Sequence, residues 1–444
     1  MLLNEEILKI KENDLIRFMN FKKKKEINDV WGKYAFFDQG IEGSKRSETG
    51  SFYTPEWIVV FMVKAALNKL IKEGVNLHHF KVLEPSVGSG NFIEVLIREV
   101  KNITNQTYQE IADNIHILDI NSEAIDVCRK RMQELYNVEM KNVHISDALE
   151  YIPEIKFDLV IGNPPYGNLL SKEQKTKLND KFGNIALNFI EYFKTHLTDN
   201  GILYFIVPHS FTRAGSGSKI WRNIVKSDNS LYEAIDVGNP FFDITLEQVI
   251  MGFSKKLNSE IQTHSIRNNE TGSVVKTEDF YSNDENRMII YFDDFYSDII
   301  NSSNLYPFNG KRGKDFLKQD TSKDPNNGAW LILGKNIKKG HLAHINNYDQ
   351  YVDNEELALK ADHLAITQFG SNLKAAIIEK GCIASGGVVL ITHKDLSMEE
   401  AMDYLNRQSV NDFLKKYILN NAELTVHLDG KYIKQIPYVP EKLK

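Results

Sequence analysis

The segment Asp158–Tyr166 combines residue types that could hold a flat amino group for chemistry. An apolar run leads directly into Asn163, Pro164, Pro165 and Tyr166. Each proline lacks an N–H and fixes φ at about −65°, so the backbone offers carbonyl acceptors without competing donors. The Asn163 side-chain oxygen and the Pro164 carbonyl could then accept both protons of an aromatic amine such as adenine N6, with the Tyr166 ring as a stacking face. The same four residues also fit a rigid turn after a strand.

Acidic residues close three candidate strands upstream of this motif, at Glu84, Asp119 and Asp147. Ligands of mostly parallel sheets bind beyond the carboxyl ends of the strands. After Glu84, a loop of small residues that includes Ser86, Gly88 and Gly90 would let the backbone approach a ligand before a helix begins. No Gly-Lys-Ser/Thr follows this loop, which disfavours a Walker phosphate loop.

Asp119, followed by Ile120, is placed to accept the hydroxyl groups of a ribose. Asp147, followed by Ala148, could bind the same ligand or could cap a short helix.

Hydrophobic periodicity predicts an α/β fold for residues 80–255, with a mostly parallel sheet covered by helices. Beyond this region the polar segment 256–287 is predicted to be a linker. Residues 288–444 mix short strands and helices, which predicts a second, α+β domain. Residues 1–45 are predicted to be a helical extension of the first domain. The seven candidate strands are Phe80–Glu84, Ile115–Asp119, Val143–Ser146, Leu159–Ile161, Ile202–Val207, Leu231–Val237 and Val249–Phe253.

Composition limits the alternatives. A chain of 444 residues that is 42% hydrophobic and 26% charged can bury a large core and favours two domains. No run of 18 apolar residues and no signal peptide is found, so we expect a soluble cytoplasmic protein. The two cysteines, Cys128 and Cys382, lie far apart and support neither a disulfide nor a metal site. A net charge of −6 leaves room for a local basic surface.

Taken together, these motifs resemble the gamma class of S-adenosylmethionine-dependent N6-adenine DNA methyltransferases of restriction-modification systems. The resemblance rests on Asn163–Tyr166, on the loop after Glu84, and on Tyr53-Thr54-Pro55, which otherwise reads only as a helix start. It implies a seven-stranded, Rossmann-like methyltransferase sheet whose last strand is antiparallel. Residues 1–255 would then be the catalytic domain.

The resemblance also implies roles for individual residues. Asn163, Pro164, Pro165 and Tyr166 would be catalytic, and Tyr166 with Phe241 would hold a flipped adenine. The methionine end of S-adenosylmethionine would lie near Tyr53, Thr54 and Glu84, its ribose near Asp119 and its adenine near Asp147. The full predicted cofactor set is Tyr53, Thr54, Glu84, Ser86, Gly88, Gly90, Asp119, Ile120, Asp147 and Ala148.

By its position, the second domain resembles a target-recognition domain for double-stranded DNA, with Lys335, Lys338, Lys339 and Lys374 as candidate phosphate contacts. A domain that only packs or binds a protein partner is the alternative. No cluster of paired acids and a lysine suggests DNA cleavage, so a cognate restriction endonuclease would be a separate protein.

Two other functions stay open at this point. The Asn-Pro-Pro-Tyr motif also occurs in methyltransferases that act on protein glutamine, and RNA adenine is a further possible substrate. Tyr53-Thr54-Pro55 is not a feature of the glutamine enzymes and so favours DNA. A non-catalytic DNA-binding scaffold with a methyltransferase shell is disfavoured by the intact motif.

Overall fold

The structure is a computed structural model in which the chain divides into two compact units, Met1–Ile290 and Tyr291–Lys444. Each unit is described by itself. The residues described are 5–22, 30–35, 53–177, 182–213, 216–242, 245–267, 270–281, 287–302, 306–345, 349–370, 372–421, 426–428 and 430–444.

The first unit is organised around one mixed sheet, which has nine strands among the described residues, in the order β3-β2-β1-β4-β5-β7-β6-β8-β9. Strands β1 to β5 pair in parallel, whereas β7 runs antiparallel to both β5 and β6. The strands are β1 Val82–Glu84, β2 Ile115–Asp119, β3 Asn142–Ile145, β4 Phe157–Gly162, β5 Leu197–Pro208, β6 Leu231–Gly238, β7 Gln248–Ser254, β8 Glu260–Ser265 and β9 Glu270–Lys276.

Chain order reverses between β1 and β4, because β1 continues to β2 and β3 on one side and β4 continues to β5 on the other. A crevice at such a switch point is where open α/β sheets bind ligands. Every residue of β1 and β7, and nearly every residue of β4, is buried, as expected for strands covered on both faces. All seven predicted strands are confirmed, including the antiparallel last one.

Helices flank this sheet. The helix α3, Glu56–Lys72, is apolar almost all round and buries twelve residues, which identifies it as an internal helix. The helices of the first unit are α1 Glu5–Lys22, α2 Val30–Ala35, α3 Glu56–Lys72, α4 Asn91–Ile103, α5 Tyr108–Ala112, α6 Ser122–Tyr136, α7 Lys172–Lys177, α8 Ile185–Lys194, α9 Ser216–Asp228 and α10 Thr277–Phe280, with a 3₁₀ turn at His209–Thr212.

The prediction that residues 256–287 form a linker is wrong. Strand β8 pairs in parallel with β6, and β9 pairs antiparallel with β8, so this segment extends the main sheet. The hydrophobic pattern of a strand is missing from β8, because three of its buried residues are the polar Thr263, His264 and Ser265. Ile261 is its one buried hydrophobic residue. The first unit therefore continues to Ile290 instead of ending near residue 255.

The N-terminal helices α1 and α2 pack against the rest of this unit. Asp14 of α1 accepts a hydrogen bond from the Trp57 N–H at 3.0 Å, which caps the first turn of α3 in place of a local side chain. Arg17 reaches Glu56 at 2.7 Å and Asp14 at 3.3 Å. The side chain of Asp14 is fully buried, and burial raises its pKa to about 7 although the Trp57 N–H and Arg17 act against that shift.

The second unit is α+β, as predicted. A four-stranded antiparallel sheet has the order β10-β19-β15-β17, and a three-stranded sheet has the order β14-β11-β18. Its strands are β10 Phe308–Arg312, β11 Ala329–Ile332, β12 Ile337–Lys338, β13 His341–Leu342, β14 Gln350–Val352, β15 His363–Thr367, β16 Phe369–Gly370, β17 Ala375–Ile378, β18 Ile383–Ala384, β19 Val388–His393 and β20 Val426–His427. Its helices are α11 Asp294–Ser302, α12 Met398–Leu405, α13 Gln408–Phe413 and α14 Gly430–Ile433, with a π-helical turn at Leu414–Ile418.

Among the helices of the described residues, none has the length and apolar content needed to cross a lipid bilayer.

Asp14 makes the stability of the first unit depend on pH. A carboxyl group whose pKa is higher in the folded chain than in the unfolded one stabilises the fold most at low pH. This contribution should be lost as the pH rises from about 4 to above 7. Asp14→Asn keeps an oxygen that can accept the Trp57 N–H. We expect it to remove the fall in Tm that the wild type shows between pH 5 and 8. The matched control is Glu12→Gln, an exposed acid on the same helix. Parallel Tm curves for wild type and Asp14→Asn would contradict the assignment.

Candidate active site

The side-chain amide of Asn163 is held at both ends. Asn163 follows β4 directly, so its position is set by a buried strand on one side and by two prolines on the other. Its Nδ2 donates to the Thr54 hydroxyl at 3.0 Å, and its Oδ1 accepts from the Tyr166 hydroxyl. The Asn163 carbonyl accepts from the Ser86 hydroxyl at 3.1 Å. Residues that are 109 positions apart in the sequence, Thr54 and Asn163, are therefore direct partners.

Tyr166 is buried, with 7% of its surface exposed. Its hydroxyl lies near two acceptors, Asn163 Oδ1 and the Ile206 carbonyl of β5 at 3.1 Å. One hydroxyl proton serves one of these acceptors at a time. Burial raises the pKa of Tyr166 well above its usual value, so the hydroxyl stays protonated and keeps its capacity to donate.

The loop after β1 is shaped by two glycines with left-handed backbone angles, Gly88 at φ 51° and Gly90 at φ 79°. Gly90 precedes the first residue of α4, and a Cβ built on it would lie 2.6 Å from the Cys128 sulfur of α6. Glycine is therefore required at position 90 by both the backbone angle and the packing. The thiol of Cys128 is fully buried beneath this loop.

Asp119 ends β2 and holds the same loop. Its Oδ2 accepts the Gly88 N–H at 3.0 Å, and its Oδ1 accepts the Asn121 N–H at 2.9 Å. Burial raises the pKa of Asp119, although these N–H groups favour the charged form. Next to it, the Ile120 side chain is 70% exposed. A half-buried carboxylate beside an exposed aliphatic side chain can contact both the polar and the flat apolar parts of a nucleoside.

Asp147 follows β3 and caps the turn after it. Its Oδ1 accepts the Leu149 N–H at 2.9 Å, and its carbonyl accepts the N–H groups of Glu150 and Tyr151. The capping role that the sequence offered as an alternative is thus present, and Ala148 is buried inside the turn. A ligand role for Asp147 stays a prediction.

Glu84 and Tyr53 are both 2% exposed. Glu84 lies against the residue before Asn163, since a Cβ on Gly162 would be 3.5 Å from Glu84 Cγ. The Tyr53 hydroxyl accepts a hydrogen bond from Trp31 Nε1 at 3.1 Å, so this side chain contacts the N-terminal helices. Thr54, also buried, carries the contact to Asn163. Glu84 and Thr54 are thus brought to Asn163, whereas the Tyr53 hydroxyl contacts Trp31.

Phe241 is buried beyond the end of β6, with 5% of its surface exposed. Two acids flank its loop, Asp236 in β6 and Glu247 just before β7. Arg267, two residues after β8, pairs with Asp236 at 3.2 Å and with Glu247 at 3.0 Å. Arg213 also pairs with Glu247, at 2.6 Å. Buried ion pairs therefore connect the two sides of the loop that carries Phe241, and they include Arg267 from the segment that was predicted to be a linker.

The second unit contains a cavity of about 710 Å³ that brings three predicted DNA-contact lysines together. Lys335, Lys338 and Lys374 line it, whereas Lys339 is exposed on the adjacent turn and lies outside the lining. The one acid in the lining is Asp315, which pairs with Arg312 at 2.7 Å. The other lining residues are Phe316, Leu331, Leu333, Gly334, Ile337, Gln350, Thr367, Asn372, Ser385, Gly386 and Gly387.

The first unit matches a known protein family. The family model of the Eco57I restriction-modification methylase covers residues 93–242, which include β2 to β6 and the Asn163–Tyr166 motif. Residues 93–242 thus match a restriction-modification methylase domain. Thr54 and Gly90, which contribute to the geometry of the candidate site, lie upstream of the matched range.

Curated relatives are methyltransferases. The chain is 29% identical over 214 residues to the type II methyltransferase M.VspI of Vibrio sp. (strain 343), which covers 46% of this chain and 48% of the relative. It is 26% identical over 202 residues to the modification methylase CviBIII of Paramecium bursaria Chlorella virus NC1A, covering 45% and 48%. The chain thus spans about half the length of the curated relatives that it matches.

A solved structure with the same fold is that of the type IIL restriction-modification enzyme MmeI in complex with DNA. The TM-score is 0.57 at 13% sequence identity, and the match covers 94% of this chain and 71% of that one. At this identity the comparison shows the fold alone, and it places the first unit's mostly parallel sheet among restriction-modification methyltransferase folds.

Gly90 offers a sharp test of the loop in the methylase domain. We expect Gly90→Ala to lower the free energy of unfolding by about 1–2 kcal/mol from the left-handed backbone angle, with an added penalty from the contact with Cys128. Gly74 is the matched control because it has φ 80° and nothing within 4 Å of a Cβ. Gly74→Ala should show the backbone cost alone. Denaturant unfolding of both variants is measured in the wild-type and in a Cys128→Ala background. In the second background, the difference between the losses of unfolding free energy caused by Gly90→Ala and by Gly74→Ala should be smaller. Equal costs in the two backgrounds would contradict the contact with Cys128.

Proposed function

We propose that this protein is a DNA methyltransferase that transfers a methyl group from S-adenosylmethionine to adenine N6 in double-stranded DNA, as the marking step of a restriction-modification system. The observation that carries the proposal is the Asn163 amide, held by Thr54 and Tyr166 at the switch point of a methylase domain. Relatives that are type II methyltransferases support the same reaction class.

The proposed chemistry is activation of a weak nucleophile. The lone pair of an exocyclic amino group is delocalised into the purine ring, so the amine attacks poorly while it stays planar. Asn163 Oδ1 and the Pro164 carbonyl would accept hydrogen bonds from its two N–H groups and so raise the electron density on the nitrogen. An amide oxygen has two lone pairs, and the N–H of the target amine would bond to one of them. S-adenosylmethionine would supply the electrophilic methyl group, and precise positioning would supply most of the rate acceleration.

The residues at the strand ends fit this cofactor. The Asp119 carboxylate accepts the Gly88 and Asn121 N–H groups, and two neighbouring ribose hydroxyls would be its further donors. Ile120 is an exposed aliphatic side chain beside that acid and would cover one face of the adenine. Asp147, which caps its own turn, would accept from the adenine amino group. The narrow loop at Ser86, Gly88 and Gly90 would pass close to the methionine moiety, together with Thr54 and Glu84.

The target base has to leave the duplex to reach Asn163, because enzymes that act on a base extrude it from the stack. Tyr166 and Phe241 are more than nine-tenths buried, so a base that stacks on them would enter the domain. The buried ion pairs around the Phe241 loop would keep that ring in place during entry.

DNA contacts are proposed for the second unit. Three ammonium groups around one cavity, with the single lining acid neutralised by Arg312, make a local positive surface on a chain of net charge −6. Such surfaces bind phosphates and set the register of a protein on a duplex. Lys339 would add a contact from the adjacent turn. A cognate endonuclease, as a separate protein, would recognise the same DNA sequence and would be blocked by the methyl group.

Two substitutions in the first unit separate chemistry from cofactor binding. Asn163→Ala should lower kcat for methylation of duplex DNA by about 100-fold or more, because it removes an acceptor aligned with the reacting amine. Asp119→Ala should instead weaken S-adenosylmethionine binding by about 10-fold or more, the cost of hydrogen bonds to a charged group. Tritium transfer from labelled cofactor and calorimetry measure the two effects.

The matched control is Asn142→Ala, because Asn142 is a half-buried asparagine at the opposite, amino end of β3 and donates to the Asp113 carbonyl at 3.0 Å. It should change neither quantity. Transfer to RNA or to a protein glutamine, with none to duplex DNA, would show that the proposed substrate is wrong. A wild-type chain that binds no S-adenosylmethionine would refute the proposed methyltransferase activity.

The lysine cavity generates a separate test by salt dependence. Each phosphate contact contributes about 0.9 to the slope of log binding constant against log salt. Replacing Lys335, Lys338 and Lys374 together by alanine should reduce that slope by up to about 3 and weaken duplex binding. The control replaces three exposed lysines of the same unit outside the cavity, Lys323, Lys360 and Lys380. Equal slopes for the two triple variants would exclude the cavity as the phosphate site.

A further inference from the structure

A buried arginine connects two segments that the proposed cofactor needs. Arg131 lies in α6 and its side chain is fully buried. Its Nη1 donates to the Asn91 side-chain oxygen at 2.6 Å and to the Ser89 carbonyl at 3.3 Å. Ser89 belongs to the loop after β1, and Asn91 is the first residue of α4. The guanidinium therefore holds the end of the loop that Gly90 closes.

Trp31 covers the other side of this guanidinium. The Trp31 ring lies 4.5 Å from Arg131 Cζ, within the range of a cation–π contact. The same indole donates from Nε1 to the Tyr53 hydroxyl at 3.1 Å. Tyr53 precedes Thr54, the residue that holds the Asn163 amide. One aromatic side chain of α2 thus contacts both the arginine beneath the loop and the Tyr53–Pro55 segment.

A buried cation is costly unless it is paired, so the position of Arg131 is determined by its partners. Glu94 Oε2 lies 3.9 Å from Arg131 Nη2, and Glu94 Oε1 also pairs with Arg98 at 3.1 Å. The planar guanidinium allows Nη1 to donate to a carbonyl and to an amide oxygen while the face of the group stacks on an indole. Lysine offers the charge without that geometry.

We propose that Arg131 and Trp31 are positioning residues for S-adenosylmethionine, and that helix α2 is therefore part of the cofactor site. This inference rests on the proposed function for the identity of the cofactor. Neither side chain contacts the reacting atoms. Arg131 orders the loop from Ser86 to Gly90, and Trp31 couples that loop to the segment that carries Thr54.

The test measures cofactor affinity and loop order separately from activity. Arg131→Met, which keeps apolar volume and removes the fork, should weaken S-adenosylmethionine binding in calorimetry by about 10-fold, as expected for lost bonds from a charged donor. Trp31→Phe keeps a ring and loses the bond to Tyr53, and should weaken binding by about 3-fold. Amide hydrogen exchange at Gly88–Asn91 should accelerate in both variants without cofactor. kcat at saturating cofactor should stay within about 3-fold of wild type, because the effect lies in binding.

Lys33→Ala is the matched control on the same helix. Lys33 pairs with Glu134 of α6 at 2.8 Å, and both side chains are about half exposed, so the change removes a docking contact without touching Trp31 or Arg131. It should leave affinity and exchange unchanged.

A folded Arg131→Met protein with wild-type affinity and wild-type exchange would overturn the inference, even if its Tm falls. Should Arg131→Met fail to fold, Trp31→Phe decides by the same two measurements, and unchanged values again overturn the inference. Absence of cofactor binding in the wild type would refute the proposed function itself, which distinguishes the two failures.

Discussion

The orientation of one side-chain amide is the constraint on which the site depends. An asparagine side chain can present either its oxygen or its nitrogen, and only the oxygen can accept a hydrogen bond from an amine. In this chain the Asn163 side-chain nitrogen donates a hydrogen bond to the Thr54 hydroxyl, and the Asn163 side-chain oxygen accepts one from the Tyr166 hydroxyl. Thr54 precedes a buried helix, Asn163 follows a buried strand, and the Tyr166 hydroxyl lies 3.1 Å from the Ile206 carbonyl of the neighbouring strand. The helix and the two strands therefore position the polar side-chain atoms of Thr54, Asn163 and Tyr166.

Much of this arrangement was predictable because it follows from local periodicity. Seven strands of the first unit were found from apolar runs, and the residues that end them were known to share one edge of a parallel sheet. The missed strands β8 and β9 lie at the end of the sheet, where buried threonine, histidine and serine replace the hydrophobic pattern.

The remaining site features depend on pairs that are far apart in sequence. Nothing near Arg131 distinguishes it from an exposed helical arginine, and only the folded structure shows its contacts with Ser89, Asn91 and Trp31. Asp14 similarly reads as a surface acid, yet it caps a helix that begins 42 residues later, at Glu56. For Asp147 the local pattern was sufficient, because the cap it predicted is formed within two residues. Long-range polar pairing leaves no periodic signal.

The extension of the sheet beyond β7 affects how this protein can be recombined with its relatives. A junction placed at the end of β7 would discard β8 and β9, expose the backbone edge of β6, and leave the buried Asp236 without Arg267, whereas Glu247 would keep Arg213. Exposed strand edges promote aggregation, and unpaired buried acids are strongly destabilising. Replacing the second unit by another domain therefore calls for a splice after Ile290, where the first compact unit ends.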